Sequence, residues 1–396
     1  MSSPREKKIK VGFITSLTGA YASSSQNQLL GARLAIDKAN KSGGVLGRKV
    51  ELIVADDKLN NNLAGKRAVE LIEGRKVDFL LGSMSAATQI PMNKEARKRK
   101  TIFVSLAQSN EITNNKHLGP YTFHEAMTPQ MNAQSISRWV FGNLSNSWFL
   151  LVVDYEWGHQ NRDVCLEFAE KNKVKIKGVI KFPLGSGRFT QYFPKILRSK
   201  AETLIVASWG TDQLAFVDQA AKGGLKKKLS IVNTLSELTI AQKMDPSAAA
   251  GMYWGANFYW GLSEQIPSAR QFVNDFKKAF KVFPTGYAGY AYSGVKELLW
   301  ALEQSKEYPV QPDKITALLE ARTYDHYKGK QWWRPCDHQS FQDLYILKFK
   351  GPEERKGPND FAEVLGSVSW DMGIERTCEE LGHKEHLWGH ALKKTL

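Results

Sequence analysis

The chain has 396 residues, a formal net charge of +15 and 42% hydrophobic residues. This length exceeds one typical core and predicts two lobes of about 150 to 200 residues each. No run of about 18 apolar residues occurs, so no membrane-spanning helix is predicted. The lysines and arginines are scattered, without a stripe interleaved with aromatic residues. That pattern favours solvated helix faces and argues against a nucleic-acid partner.

The first βα unit begins with a short apolar run, Ile9 to Ile14, that predicts a buried strand. A turn rich in small hydroxyl residues follows from Leu17 to Ser25, and Leu29 to Asn40 has the apolar spacing of a helix packed on a sheet. Thr15 to Gln26 holds one glycine, whereas the dinucleotide fingerprint needs three. Ligands of open parallel sheets lie beyond the carboxyl ends of the strands, so Tyr21 is a candidate contact for a small polar ligand.

The alternation of strand, turn and helix recurs along the chain and predicts an α/β fold. It breaks around Tyr121 to Pro129 and then restarts, which indicates a second lobe of the same construction. Further strands are predicted at Lys49 to Ala55, Phe79 to Leu81, Thr101 to Ser105, Trp148 to Asp154, Lys175 to Phe182, Thr203 to Ala207 and Gln342 to Phe349. The last stretch, Gly351 to Leu396, carries no clear pattern.

Helices predicted at Ser268 to Phe280 and Tyr290 to Gln304 have no strands of their own to cover, so they need the first lobe's sheet. We therefore expect two doubly wound α/β lobes joined by a three-segment hinge, with a ligand in the cleft between them. The expected crossings are near Thr122 to Thr128, Asn257 to Leu262 and Lys328 to His338. The first lobe is expected to comprise 5–125 and 262–330, the second 126–261 and 331–385, and a tail 386–396.

Three cysteines bear on the compartment. Cys165 falls on the apolar side of a predicted helix, as expected for a buried thiol. Cys336 and Cys378 lie in irregular segments, where a disulfide would close a loop of about 40 residues; the alternative is two free cysteines. A disulfide requires an oxidising compartment, and we expect that Met1 to Pro4 replaces a natural secretion signal.

Signatures of an enzyme are weak in this sequence. No G-x-S-x-G elbow occurs, because the GSMSA stretch lacks the second glycine. His383, His386 and His390 are spaced by 3 and 4 residues but need a further ligand to hold a metal. A disulfide explains Cys336 beside His338 better than thiol catalysis does. We expect no catalysis, no metal and no cofactor.

Several stretches, taken in order, resemble the type I periplasmic solute-binding proteins of ABC importers. The resemblance is to the branched-chain amino-acid-binding group and its relatives for amides and aromatic acids, and it covers about residues 8–350. Its carriers are SLTGAYA (16–22), GARLAIDKANKSGGVLGRKVEL (31–52), LLGSMSAATQ (80–89), VDYEWGHQ (153–160), FVDQAAKGGL (216–225), AAAGMYWGANFYW (248–260) and GYAGYAYSGVKELLWALE (286–303). RPCDHQS (334–340) resembles a subgroup whose ligands tend toward aromatic or small organic acids.

The resemblance implies that the first lobe holds a ligand carboxylate with backbone N–H groups and hydroxyls at two strand-to-helix turns. Ser85 matches the serine of the first turn, and Ala107, Gln108 and Ser109 fall at the second. Helix N-termini favour anions, so this arrangement is physically sound. Ser85 also suits a helix cap, and the two roles are compatible. Tyr21 is a candidate for the rim of the site.

In the second lobe, the resemblance implies aromatic side chains over the ligand. Tyr155 and Trp209 match such positions, and Phe258 is a rim or hinge candidate. Flat aromatic rings suit an aliphatic or aromatic ligand body, although plain core packing is the alternative for each of them.

One departure from the resemblance bears on the ligand. Amino-acid-binding members hold the ammonium with an acidic residue where this chain has Thr234 or Leu235, although Glu237 stands two residues away and could serve in another register. A buried ammonium without a partner is costly, so an organic acid lacking an α-ammonium is favoured.

The resemblance therefore implies an extracytoplasmic, periplasmic protein that captures a small organic acid, best matched by an aromatic carboxylate, and delivers it to an ABC permease. Alternatives are a binder of branched-chain or other amino acids, or of short amides. A sensor or repressor would need an N-terminal helix-turn-helix or a fused effector, and the sequence shows neither. We expect a monomer.

Overall fold

The computed structural model describes residues 7–19, 21–320, 322–369, 372–373 and 376–383. None of the helices in these ranges is long and apolar enough to cross a bilayer. The strands are β1 (Ile9–Thr15), β2 (Val50–Asp56), β3 (Phe79–Gly82), β4 (Phe103–Ser105), β5 (Thr122–His124), β6 (Ser147–Val153), β7 (Lys175–Phe182), β8 (Thr203–Ala207), β9 (Ser230–Asn233), β10 (Tyr253–Ala256), β11 (Thr323–Tyr324), β12 (Gln331–Trp333), β13 (Ser340–Phe341), β14 (Leu344–Phe349) and β15 (Ala362–Val368).

The helices mostly occupy the connections between these strands. They are α1 (Ala22–Lys41), α2 (Asn61–Val69), α3 (Ala86–Lys98), α4 (Pro129–Asn143), α5 (Glu156–Asn172), α6 (Phe193–Arg198), α7 (Gly210–Lys222), α8 (Leu238–Ala241), α9 (Pro246–Ala249), α10 (Pro267–Phe280), α11 (Gly286–Ser305) and α12 (Pro312–Glu320). The mixture of strands and helices confirms the predicted α/β class.

Two compact units divide the chain. Unit 1 comprises Met1–Met127, Ser263–Gln342 and Arg376–Leu396, and unit 2 comprises Thr128–Leu262 and Asp343–Glu375. The chain therefore passes from one unit to the other four times, one more than the sequence predicts.

Unit 1 is built around a parallel sheet of five strands in the order β2-β1-β3-β4-β5. Its central strands are almost wholly buried because helices cover both faces of such a sheet. The late helix α11 packs tightly against α1, and a Cβ atom on Gly31 would lie 2.0 Å from the carbonyl oxygen of Ala288. The late helices α10 and α11 thus belong to unit 1, as predicted from the sequence.

Unit 2 repeats this construction in its own sheet of seven strands. Five parallel strands follow the order β7-β6-β8-β9-β10, which matches the order in unit 1, and β14 and β15 extend the sheet in antiparallel pairing. The strand β15 falls in the stretch after Gly351, to which the sequence analysis assigned no structure.

Residues 331–342 belong to unit 1, which corrects the expectation that they form part of the second lobe. The reason is hydrogen bonding: β12 pairs with β11, and the backbone N–H of His124 donates to the carbonyl oxygen of His338 at 2.9 Å. The third passage of the chain therefore falls after Gln342, later than the predicted Lys328 to His338.

Residues 376–383 also belong to unit 1, although 331–385 was expected in the second lobe. Cys378 forms a disulfide with Cys336, and His383 Nε2 donates to the carbonyl oxygen of Thr113 at 3.0 Å. These links hold the returning segment against unit 1. The predicted tail, 386–396, lies outside the described residues.

Candidate functional site

All nine residues predicted to contact a ligand lie in connections that begin at the carboxyl end of a parallel strand. These strands are neighbours within each sheet: β1, β3 and β4 in unit 1, and β6, β8, β9 and β10 in unit 2. Open α/β sheets bind ligands at this edge. Tyr21 follows β1, Ser85 follows β3, Ala107, Gln108 and Ser109 follow β4, Tyr155 follows β6, Trp209 follows β8, Thr234 follows β9 and Phe258 follows β10.

In unit 1, the structure brings Tyr21 and Ser85 to the same surface depression. It has a volume of about 460 Å³ and is also lined by Leu59, the run Asn60–Asn62 and Ala87. Burial raises the pKa of the Tyr21 phenol above its ordinary value, so the ring contributes a neutral hydroxyl at pH 7.

Ser85 occupies the N-cap of α3. Its Oγ accepts a hydrogen bond from the backbone N–H of Ala87 at 3.2 Å, while its own N–H donates to Ser83 Oγ at 3.0 Å. The first turn of α3 contains no acidic residue. The positive end of the helix dipole at Ser85 therefore remains uncompensated by protein carboxylates in that turn, which favours an anion there.

The turn after β4 is fixed from the neighbouring strand. His124 Nε2 donates to the carbonyl oxygen of Ala107 at 2.8 Å, and burial lowers the pKa of His124 to about 4, so its imidazole is neutral at pH 7. Ser109 Oγ accepts from the backbone N–H of Glu111 at 3.0 Å. Ala107 and Ser109 are buried and Gln108 is half-buried. Hydrogen bonds therefore hold this turn in place, and the Ser109 hydroxyl is used in one of them, within its own loop.

Two carboxylates at the end of β2 organise the turn that carries Tyr21. Asp57 accepts from Ser16 Oγ at 2.6 Å, and Asp56 accepts from the backbone N–H of Leu17 and from Thr18 Oγ1, each at 2.9 Å. Burial opposes ionisation of Asp56, yet a hydrogen bond from the backbone N–H of Lys58 at 2.8 Å, together with these two, outweighs burial and holds the pKa of Asp56 below its ordinary value. Both acids are committed to the protein's own backbone and hydroxyls.

The asparagines that line the same depression as Tyr21 and Ser85 were not predicted from the sequence. Asn60 caps α2, its side chain accepting from the backbone N–H of Leu63 at 2.9 Å, and Asn61 and Asn62 follow. The available signal was their position directly after the Asp56-Asp57 strand end.

In unit 2, two of the candidate aromatic residues occupy helix N-caps. Tyr155 precedes α5 and stacks on Trp157 with ring centroids 6.3 Å apart, and Trp209 precedes α7. Both are half-buried, whereas Thr234 and Phe258 are buried. Tyr155 and Trp209 therefore both lie at the carboxyl edge of the unit 2 sheet. The ring of Tyr155 also packs on Trp157.

The residues that the structure describes contain no group of three or more His, Cys, Asp or Glu side chains suited to a metal ion. Two of the three tail histidines considered from the sequence, His386 and His390, lie outside those residues.

Known proteins are similar to this chain over most of its length. A family model described as "Periplasmic binding protein" matches residues 8–357. A Leu/Ile/Val-binding protein homolog 7 of Brucella abortus (strain 2308) is 24% identical over 327 residues, covering 78% of this chain and 80% of the relative. A periplasmic binding protein of Burkholderia mallei has 25% identity and a TM-score of 0.81, covering 96% and 99% of the two chains. An ABC transporter solute-binding protein of Rhodopseudomonas palustris BisB5, solved with 3,4-dihydroxy benzoic acid, has 21% identity and a TM-score of 0.79, covering 91% and 97%.

Proposed function

Because the chain belongs to the periplasmic binding protein family and is a solute-binding protein of an ABC transporter, not an enzyme, we propose that its solute is an organic acid without an α-ammonium group. Aromatic carboxylates are the favoured class. Unit 1 contains an anchor suited to a carboxylate, and unit 2 contains an aromatic surface suited to a ring. The protein then delivers the intact solute to a membrane permease.

The observation that carries this proposal is the absence of acidic residues from the first turn of α3, beside a depression. Ser85 caps a helix of 13 residues whose first turn has no acid, and it lines a depression together with Tyr21. A carboxylate placed there gains from the helix dipole and from hydrogen-bond donors of the turn. The neighbouring N-terminus of α2, capped by Asn60, borders the same depression and adds to the preference for an anion.

The choice against an ammonium group rests on the loop after β9. Thr234 and Leu235, which stand where an acidic residue is expected in amino-acid-binding members, are both uncharged and buried. Transferring an ammonium to such surroundings without a carboxylate is unfavourable. Tyr155 and Trp209 instead provide flat rings suited to an aromatic body. The solute found in the R. palustris protein is an aromatic acid of this kind.

A branched-chain amino acid is the second candidate. Glu237 is 7% exposed and lies three residues after Thr234. Its Oε2 accepts from Thr239 Oγ1 at 2.9 Å. The Brucella relative is named as a Leu/Ile/Val-binding protein homolog, which also favours this alternative. Under this candidate Glu237 takes the ammonium.

Ligand-dependent melting against a panel of solutes tests the proposal. The panel contains benzoate and hydroxybenzoates, leucine and isoleucine, and short amides. A solute present at 100 times its Kd stabilises the folded protein by about 2.7 kcal/mol, which gives a clear rise in melting temperature. We expect this rise with aromatic carboxylates. Stabilisation by leucine alone, with none from any acid lacking an ammonium, would reject the proposed ligand class.

Two substitutions test the placement of the site. Ser85→Ala is expected to weaken carboxylate binding about tenfold, the equivalent of about 1.4 kcal/mol, and to lower stability by about 1 kcal/mol through loss of the cap. Tyr155→Ala is expected to cost at least as much affinity, because it removes an aromatic contact surface. Isothermal titration calorimetry measures both effects.

Matched controls lie at the opposite, amino-terminal edge of the unit 2 sheet. Ser199 is a half-buried serine at the end of α6 and Tyr253 a half-buried tyrosine at the start of β10. Alanine at either position is expected to leave affinity unchanged, and Ser85→Thr to retain most of it. Unchanged affinity in both Ser85→Ala and Tyr155→Ala would mean that the solute binds elsewhere.

A further inference from the structure

Buried polar groups without hydrogen-bond partners gather at the carboxyl ends of β8 and β9 in unit 2. Ser208 and Thr234 are each 1% exposed and Asn233 is 0% exposed. No described residue accepts from or donates to the Ser208 or Thr234 hydroxyl, or to either polar atom of the Asn233 amide. Buried polar side chains in folded proteins nearly always have partners, so this concentration requires an explanation.

These groups are neighbours in the sheet. Asn233 lies in register with Val206 of β8 and with Trp254 of β10, and the backbone N–H of Thr234 donates to the carbonyl oxygen of Val206 at 2.9 Å. Ser208 follows β8 directly, two residues beyond Val206. The indole N–H of Trp254 is also buried without a partner among the described residues. The carboxyl ends of β8 and β9, together with the neighbouring Trp254 within β10, thus present unused donors and acceptors.

The loops that carry these groups are held together by Gln213 of α7. Its Nε2 donates to the carbonyl oxygens of Ser208 and Leu235, at 3.2 and 2.9 Å, and its Oε1 accepts from Ser236 Oγ at 3.0 Å. Both N–H donors of the Gln213 amide are therefore used within these loops.

The chemistry of these three side chains favours an uncharged atom of the ligand. Ser208, Asn233 and Thr234 carry no charge, and together they offer donors and acceptors. Asp212, the buried acid in the first turn of α7, is committed to the backbone N–H groups of Gly185 and Gly187, at 2.7 and 3.1 Å. A hydroxyl can donate and accept at once, so it pairs well with hydroxyl and amide groups.

We propose that Ser208, Asn233 and Thr234 bind a neutral hydrogen-bonding substituent of the solute, of which a ring hydroxyl is the simplest example. This inference rests on the proposed function and narrows its ligand class from aromatic carboxylates to hydroxylated ones. Each buried polar group loses hydrogen bonds to water on folding, and a solute that restores them is preferred over one that leaves them unpaired.

Calorimetric affinities for benzoate, 4-hydroxybenzoate and 3,4-dihydroxybenzoate test the inference. The wild-type protein is expected to bind the better hydroxylated acid at least about tenfold more tightly than benzoate. In Ser208→Ala and Thr234→Val this ratio is expected to fall to about twofold or less. Thr234→Ser keeps the hydroxyl and is expected to retain the ratio, so a loss of folding in Thr234→Val would not remove the test.

Ser147 provides the matched control. Its hydroxyl is also buried without a partner among the described residues, but it lies at the amino-terminal end of β6 in the same sheet. Ser147→Ala is expected to retain the wild-type ratio. A wild-type ratio near one, with firm benzoate binding, would overturn this inference and leave the proposed function standing. Failure of every carboxylate to bind would overturn both, as would binding of leucine alone.

Discussion

Removing the Cys336–Cys378 disulfide is expected to lower the free energy of unfolding by about 4 kcal/mol. The bond links positions 42 residues apart, and such a cross-link removes about this much loop-closure entropy from the unfolded chain. The closed loop contains Asp343–Glu375, the chain's second passage through unit 2. Without the disulfide, the return to unit 1 depends on hydrogen bonds such as that from Arg334 Nη1 to the carbonyl oxygen of Arg376, at 2.6 Å.

Urea unfolding with and without reductant measures this effect, alongside the double variant Cys336→Ser/Cys378→Ser. Cys165→Ala is the control, because Cys165 is the free cysteine and burial raises the pKa of its thiol to about 11. That variant should still respond to reductant as the wild type does. A midpoint that is insensitive to reductant in the wild type would show that the disulfide contributes little to stability.

The repeated βα units could be predicted because they depend on local patterns. Apolar runs followed by small residues identify parallel strands buried on both faces, and helices follow at regular distances. The same reasoning assigned α10 and α11 to unit 1, since they lack strands of their own. The matching family confirms the predicted resemblance and, with it, the prediction that the chain is not an enzyme.

Apart from β14, the segments after Lys328 could not be placed from the sequence, because their positions depend on long-range pairing. The strands β11, β12 and β13 are only two or three residues long, and their register is set by contacts such as that between His338 and β5. The strand β15 pairs with β14 across a bulge, and its sequence AEVLGSV includes a glycine. Short strands of this kind leave no periodic signal.

Some residues of the candidate site could likewise be predicted from the sequence, and others could not. Ser85, Tyr155 and Trp209 were predicted from the family resemblance, and the structure places each directly before a helix, after a parallel strand. Asn233 and Ser208 escaped notice, because in the sequence they resemble ordinary strand-end residues. Their significance lies in unused hydrogen-bonding capacity, which only the packed structure reveals.

Raising the pH from about 6.5 to 9 is expected to destabilise unit 1 through Glu125, a fully buried carboxyl two residues before the first passage to unit 2. Its Oε2 accepts from the Tyr324 hydroxyl at 2.6 Å and its Oε1 from Gln331 Nε2 at 3.2 Å. Burial raises the pKa of Glu125 to about 8, aided by the charge of Glu297 and opposed by the Tyr324 hydrogen bond and by Lys328.

Glu125 is protonated in both the folded and the unfolded chain below its ordinary pKa, so its full contribution to stability is present there. As the pH rises, the unfolded chain releases this proton first, and the contribution falls until the folded carboxyl also ionises above about pH 8. The total loss is on the order of 5 kcal/mol for a shift of this size.

Glu125→Gln imitates the neutral carboxyl. It should therefore flatten the dependence of the urea midpoint on pH between about 6.5 and 9, above the range in which His124 affects stability, and exceed the wild type in stability at pH 9. Glu170→Gln, at an exposed position in α5, should keep the wild-type profile. A Glu125→Gln profile that still falls as steeply as the wild type would place the titrating group elsewhere.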